Sequence, residues 1–330
     1  MCSRIARQLQ TINRSWSGDR IFQETRKIVG GIIQNILFKD YLPKMLGAAH
    51  EKVVGKYNGY DSNVDATIAN EFTTSAFRFG HGMIEEFYKR LDFSGDNITH
   101  GGFFFGEGVF KSSKILFEGG VDPILRGFMS TAVKRPHRMT PAITEKMFGS
   151  TDLGSLNIQR GRDHAIPSYN TMRVFCGLPK ARDFEDFSDM ILDRNLRLGL
   201  SRNYNTTGEE EFERSLFWSA FSAAVFLTSQ VIVTDDVDFY VGSMLEDPVV
   251  GGLVGTTLSC VIGEQFKRLR DGDRFYYENP GIFTPNQLVE IRKSSLARVI
   301  CDNADHMELI SQVCDVSETF YLVMLVNYVI

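Results

Sequence analysis

A histidine between two glycines, Gly80-His81-Gly82, lies inside the stretch Thr73–Arg90, TTSAFRFGHGMIEEFYKR, and this feature limits the chain most. Read as a helix, the stretch places Arg78 and His81 on one face, because residues three apart share a face. Two glycines in a helix interior cost about 1 kcal/mol each relative to alanine. Their absence of side chains clears the backbone on both sides of the imidazole, so that something flat could approach. An arginine one turn away suits a carboxylate on that same flat object. The plainer reading is a core histidine satisfied by its neighbours, and the stretch alone leaves both open.

A second stretch, Ser155–Asn170, reads SLNIQRGRDHAIPSYN. Asn157 and Arg160 are again three apart on a helical face. An iron-ligating histidine needs a partner for its second ring nitrogen, which fixes the tautomer and raises its basicity. Asn157 offers an acceptor oxygen and Arg160 a second carboxylate contact. SLNIQRGRDHAIPSYNTMRVFCGLP resembles the signature of the animal haem peroxidases, and FTTSAFRFGH resembles that family's proximal-histidine helix. RKIVGGIIQNILFKDYLPKMLG, ILFEGGVDPILRGFM, DDVDFYVGSMLEDP, the Val250–Asn279 block and SLARVICDN resemble further family segments. The resemblance covers about Arg4–Asn195 and Asp235–Asn303.

The resemblance implies a mainly α-helical, multi-helix domain with little sheet, incomplete at its N-terminus. It implies haem b as cofactor, with His81 as proximal iron ligand, Asn157 as its hydrogen-bond partner, and Arg78 and Arg160 near the propionates. Hydrogen peroxide and a small reducing substrate are the implied partners, in an extracellular setting. It also implies that the distal histidine and arginine, the calcium-loop aspartates and the haem-esterifying carboxylates all precede the RKIVGG helix. No residue here matches them, so the expectation is a proximal half-site without the family's calcium site. The alternative is a non-catalytic, peroxidase-like binding or scaffolding domain.

The 330 residues suffice for one large domain or two small ones, and the resemblance implies a single, partial domain. A net charge of −5 argues against a nucleic-acid partner, since phosphate binding needs a basic face. The N-terminus lacks the apolar core of a signal peptide. Asn13, Asn97 and Asn205 head N-x-S/T sequons, which matter only in a secreted protein. Five cysteines include no CxxC spacing, which argues against zinc. The family resemblance pairs Cys176 with Cys260, and Cys301 with Cys314 is a second expected pair.

Residues 3–12 read as the end of a helix. Asp19–Leu46 has helical periodicity with a wide apolar face formed by Ile21, Thr25, Ile28, Ile32 and Ile36 together with Phe22, Val29, Ile33 and Leu37. Arg182–Asn195 reads as a short helix. Arg162, Asp163 and His164 read as a salt-bridge cluster in preference to an acid–base group. The resemblance lapses over 196–234, where Leu216–Val233 runs 18 residues without a charge, just the length of a membrane span. Its Ser and Thr residues and lack of basic flanks make a membrane span the weaker reading. A buried or surface helix, an insertion, and translated non-coding sequence remain open. Residues 304–330 read as a divergent tail with an apolar end.

Overall fold

The computed structural model describes residues 1–147, 149, 151–204 and 234–305. These residues are mainly α-helical, as expected. The described strands, Phe87–Tyr88 and Phe103–Phe104, pair antiparallel in a single two-stranded sheet.

A helix over Cys2–Ile12 is followed by Ser17, whose hydroxyl accepts from Arg20 N and caps the Gly18–Ile36 helix. The helical path continues through a wider π turn at Leu37–Tyr41 into Leu42–Leu46. The wide turn falls just ahead of Pro43, whose ring would meet the Lys39 carbonyl in a regular helix. The expected wide apolar face is covered except at two positions. Ile21, Thr25 and Ile36 are buried, whereas Phe22 and Ile33 are 62% and 55% exposed. The Pro285–Arg292 helix and Phe283 press against Gly31, and the Cys2–Ile12 helix packs against the same helix, yet neither covers Phe22 or Ile33.

The main core gathers Leu42, Met45, Leu46, Phe72, Phe79, Ile262 and Phe266 around the Thr256–Asp271 helix. Phe77 stacks on Phe72 with centroids 4.6 Å apart and meets Phe266 edge-on at 5.7 Å. These rings hold the residues on either side of them, including the segment that carries His81. A second staple is Arg90, which is fully buried and donates to the carbonyls of Gly101 and His100 and to the Glu118 carboxylate.

Gly119 and Gly120 form the expected turn with positive φ, and the Asp122–Met129 helix begins with Pro123 in its first turn. Thr284 and Gln287 form a reciprocal cap on Pro285–Arg292, whose Ile291 is buried. The expected Arg182–Asn195 helix is instead a 3₁₀ turn over Glu185–Asp189, with a new helix starting at Arg194. Asp183 and Asp186 explain the break. Their carboxylates accept backbone N–H bonds from residues 182, 185 and 186, competing with regular helix bonding.

Of 196–234, Leu196–Tyr204 lies in the Arg194–Tyr204 helix, where Leu200 is buried and Arg197 pairs with Glu185 at 3.1 Å. Residues 205–233, including Phe217, Phe221, Phe226 and the uncharged run, lie outside the described residues. Among the described residues no helix is long and apolar enough to cross a membrane. Cys176 and Cys260 are bonded, with Cα atoms 5.9 Å apart. Cys301 is disulfide-bonded, and Cys314, its expected partner, lies outside the described residues, as does the tail beyond Asp305.

Candidate functional site

The stretch Thr73–Arg90 is not one helix. A short helix, Asn70–Thr74, ends at Ser75, and Ala76–Met83 winds as 3₁₀ before the Phe87–Tyr88 strand. Gly80 and Gly82 add little to α-helical stability, and the tighter winding takes over. The consequence for the site is favourable, since residues three apart eclipse each other in a 3₁₀ helix. Arg78 and His81 therefore share a face more strictly than an α-helix would impose.

Gly82 does not open space beside the imidazole, contrary to what its place next to His81 suggests. A Cβ there would run into the Pro136 carbonyl oxygen and the Met244 methyl. Gly82 clears room for its own chain, not for a flat ligand. Lys134 explains why that chain lies so close: its ammonium donates to Gly82 O at 2.6 Å and to the Arg135 and Arg138 carbonyls.

Asn157 comes from the Leu153–Asp163 helix, capped by Asp152, whose carboxylate accepts from Gly154 N and Ser155 N. Asn157 is fully buried, and its amide Nδ2 lies 2.8 Å from His81 Nδ1. The same nitrogen donates to the Tyr240 hydroxyl at 3.0 Å, while Oδ1 accepts from Arg78 at 3.2 Å. The expected pairing of the two side chains is present with the amide turned the other way. A guanidinium can only donate, so it claims the amide oxygen and leaves the nitrogen facing the imidazole. Amide orientation follows from such partners and is assigned by them.

His81 is 9% exposed. Burial pushes its pKa down to about 4, the Arg78 charge pushes the same way, and the Asn157 bond opposes both. The imidazole is neutral at physiological pH, the form that ligates metals. Nδ1 is committed to Asn157, leaving Nε2 for an external group. Arg78 also donates to the Thr73 carbonyl, and the nearby Arg160 charge lowers its pKa after burial does. Arg160 is half exposed, with Asp163 3.4 Å away as a surface partner. Two guanidiniums held near one another favour an anion between them.

This titration gives a measurable pH dependence. Between the ordinary 6.5 and about 4, the unfolded chain binds a proton that folded His81 refuses. Stability from this group is complete above pH 6.5 and is lost as pH falls towards 4, by about 3 kcal/mol at most. Urea melts of the haem-free chain at pH 7 and pH 5 should show this loss, and His81→Gln should flatten it. An equally steep fall in the variant would assign the effect elsewhere.

The Arg162–Asp163–His164 triplet is a surface cluster. Arg162 grips Asp238 with two bonds of 2.9 and 2.7 Å, and the exposed His164 contributes its backbone carbonyl to Asn70. Three supporting groups were not picked out in the sequence: Tyr240, Glu246 and Arg173. Glu246 is fully buried, accepts from Tyr169 and from Thr257, and its pKa is raised by burial. Arg173, also fully buried, pairs with Asp189 at 2.9 Å beneath the Tyr169 and Phe187 rings. Tyr169 in turn packs into Gly242, two residues after Tyr240 in the same helix. Nothing local in the sequence marks these partners.

The family model for animal haem peroxidases matches residues 3–211 and 231–314. The chain belongs to the animal haem peroxidase family. It is 73% identical over 310 residues to Peroxidase mlt-7 of Caenorhabditis elegans, covering 94% of this chain and 39% of that protein. It is 38% identical over 318 residues to Peroxidasin of Drosophila melanogaster, covering 94% of this chain and 19% of that protein. Among solved structures, Peroxidase A from Dictyostelium discoideum superposes with a TM-score of 0.76 at 30% identity, over 97% of this chain and 54% of that one. The chain thus spans about two fifths, or less, of the curated relatives named here. The animal haem peroxidase's fold and family are those the sequence motifs implied.

Proposed function

We propose that this chain carries the proximal half-site of a haem peroxidase. In this reading His81 binds the iron of haem b through Nε2, Asn157 holds the ring, and Arg78 and Arg160 take the propionates. The observation that carries it is a buried, neutral imidazole 2.8 Å from an amide partner and beside the Arg78 guanidinium, which has Arg160 near it in turn. The donor set suits the group: one nitrogen for iron, one second-shell amide, and two cations for two carboxylates. Haem bound there supplies oxidation by hydrogen peroxide of a small reducing substrate.

The residues of this chain would hold the group and shield it. On the proximal face, these residues orient the ligand and exclude water behind it, with Phe77 and Phe79 anchoring the ligand segment in the core. Peroxide chemistry would also call for a base to move one proton and a cation to stabilise developing charge. No residue of this chain matches the family motifs for those groups. The Cys176–Cys260 bond supports an extracellular, oxidising setting.

The test is reconstitution of the purified chain with haem. Reversible uptake is expected, with haem released by acid–organic extraction. Guaiacol turnover is expected near that of free haem, because a positioned base alone contributes about 10²–10⁴-fold. Turnover far above free haem would defeat the half-site reading. Failure to take up haem at all would favour a binding or scaffolding domain.

A further inference from the structure

The Asn157 amide is surrounded by three groups with different hydrogen-bonding capacities. Arg78 is a donor only, His81 Nδ1 is a donor or an acceptor according to tautomer, and the Tyr240 hydroxyl is both. In the arrangement these partners assign, the amide oxygen and both amide hydrogens have a partner. Oδ1 takes the Arg78 proton, and the two amide hydrogens go to His81 Nδ1 and to Tyr240. Tyr240 directs its own proton to the Arg78 carbonyl, 3.4 Å away.

That arrangement makes Nδ1 an acceptor, so the His81 proton sits on Nε2. Iron at Nε2 requires the other tautomer, with the proton on Nδ1 and an acceptor facing it. The amide nitrogen cannot accept, so Asn157 must turn over. Turned over, Oδ1 faces both Nδ1–H and Tyr240, and the amide nitrogen faces Arg78. The latter is two donors together, relieved when Arg78 moves to a carboxylate. Tyr240 suits both states, accepting from the amide in one and donating to it in the other, at the cost of one long bond to the Arg78 carbonyl. Phenylalanine would leave part of a buried amide unpaired in each state.

We propose that Tyr240 is a positioning residue, whose hydroxyl holds the Asn157 amide through the turn-over that converts His81 from its Nε2–H to its Nδ1–H form. The side chain is buried and reached from the Phe239–Leu245 helix, fixed by the Asp238 grip on Arg162 at its start. Burial raises its pKa far above the ordinary value, so the hydroxyl keeps its proton.

The inference rests on His81 as iron ligand, and two measurements on Tyr240→Phe separate it from that reading. In the haem-free chain with ¹⁵N-labelled histidine, ring-nitrogen shifts report the tautomer. Wild type is expected to show Nε2–H for His81, and Tyr240→Phe a mixture of both forms. An unchanged tautomer in the variant would overturn the proposal, whether or not haem binds. In the ferrous haem-loaded chain, the iron–histidine stretching frequency is expected to fall in Tyr240→Phe. The same substitution in an Asn157→Ala background is expected to produce no further fall, since the effect travels through the amide. An equal fall in both backgrounds, or none in either, would also overturn it. Loss of the histidine stretch from wild type would sink the ligand reading instead, leaving the haem-free result to decide Tyr240.

Discussion

Replacing His81 with alanine is expected to weaken haem capture by more than about 100-fold. Loss of an outer partner of a metal ligand alone costs about 10–100-fold, and that is the effect expected of Asn157→Ala. Removing the ligand removes both the bond and the geometry that the partner enforces. The side chain is buried and neutral, so its loss leaves a small cavity and no unpaired charge. Free imidazole should enter that cavity and restore the histidine-type spectrum. Absorbance titration with haem measures all three expectations. Capture by His81→Ala equal to wild type would mean a different ligand.

The second large effect is expected from the Cys176–Cys260 bond. It joins the end of the Tyr169–Phe175 helix to the Thr256–Asp271 helix across 84 residues. Closing a loop of that length is worth about 4.5 kcal/mol in the chain-entropy description. A double Cys→Ser variant should lose most of this in urea melts. Cooperative unfolding should persist, because the core around Leu46, Phe79 and Ile262 does not depend on the bond. A loss below about 1 kcal/mol would mean that the unfolded chain is already constrained over this span.

What the sequence made legible was chemistry at close spacing. Arg78 with His81, and Asn157 with Arg160, are three apart within segments whose motifs resemble the family's. The helix ends at Thr284, Pro285 and Pro123 were readable because caps and prolines act within one turn. Winding at Ala76–Met83 was not readable. Arg78 and His81 share a face in α and 3₁₀ geometry alike, so the pattern does not choose between them. The role of Gly82 was misread for a related reason: its neighbour is Pro136, more than fifty residues away, and no local pattern reports it. Tyr240 sits in DFYVGSML, where an aromatic reads as ordinary core, and its hydroxyl's partners lie 83 and 162 residues away. Phe22 and Ile33 on Gly18–Ile36 are exposed although they fit the apolar periodicity, since periodicity counts apolar residues and not the layers available to cover them.

The separation of the site's parts also sets when it can come into being. His81 and Asn157 are 76 residues apart, and Asn157 and Tyr240 are 83 apart. Two long loops must close before the three side chains meet, and such closures are the slow part of folding. Haem arriving earlier finds a histidine with no fixed tautomer and no paired cations. If the proposed site holds haem, capture of the cofactor is a late event, and because it favours only the finished state it locks that state in place. A chain halted with either loop open has every proposed ligand residue and no assembled site, so haem uptake during refolding is expected to serve as a clock for the last docking step.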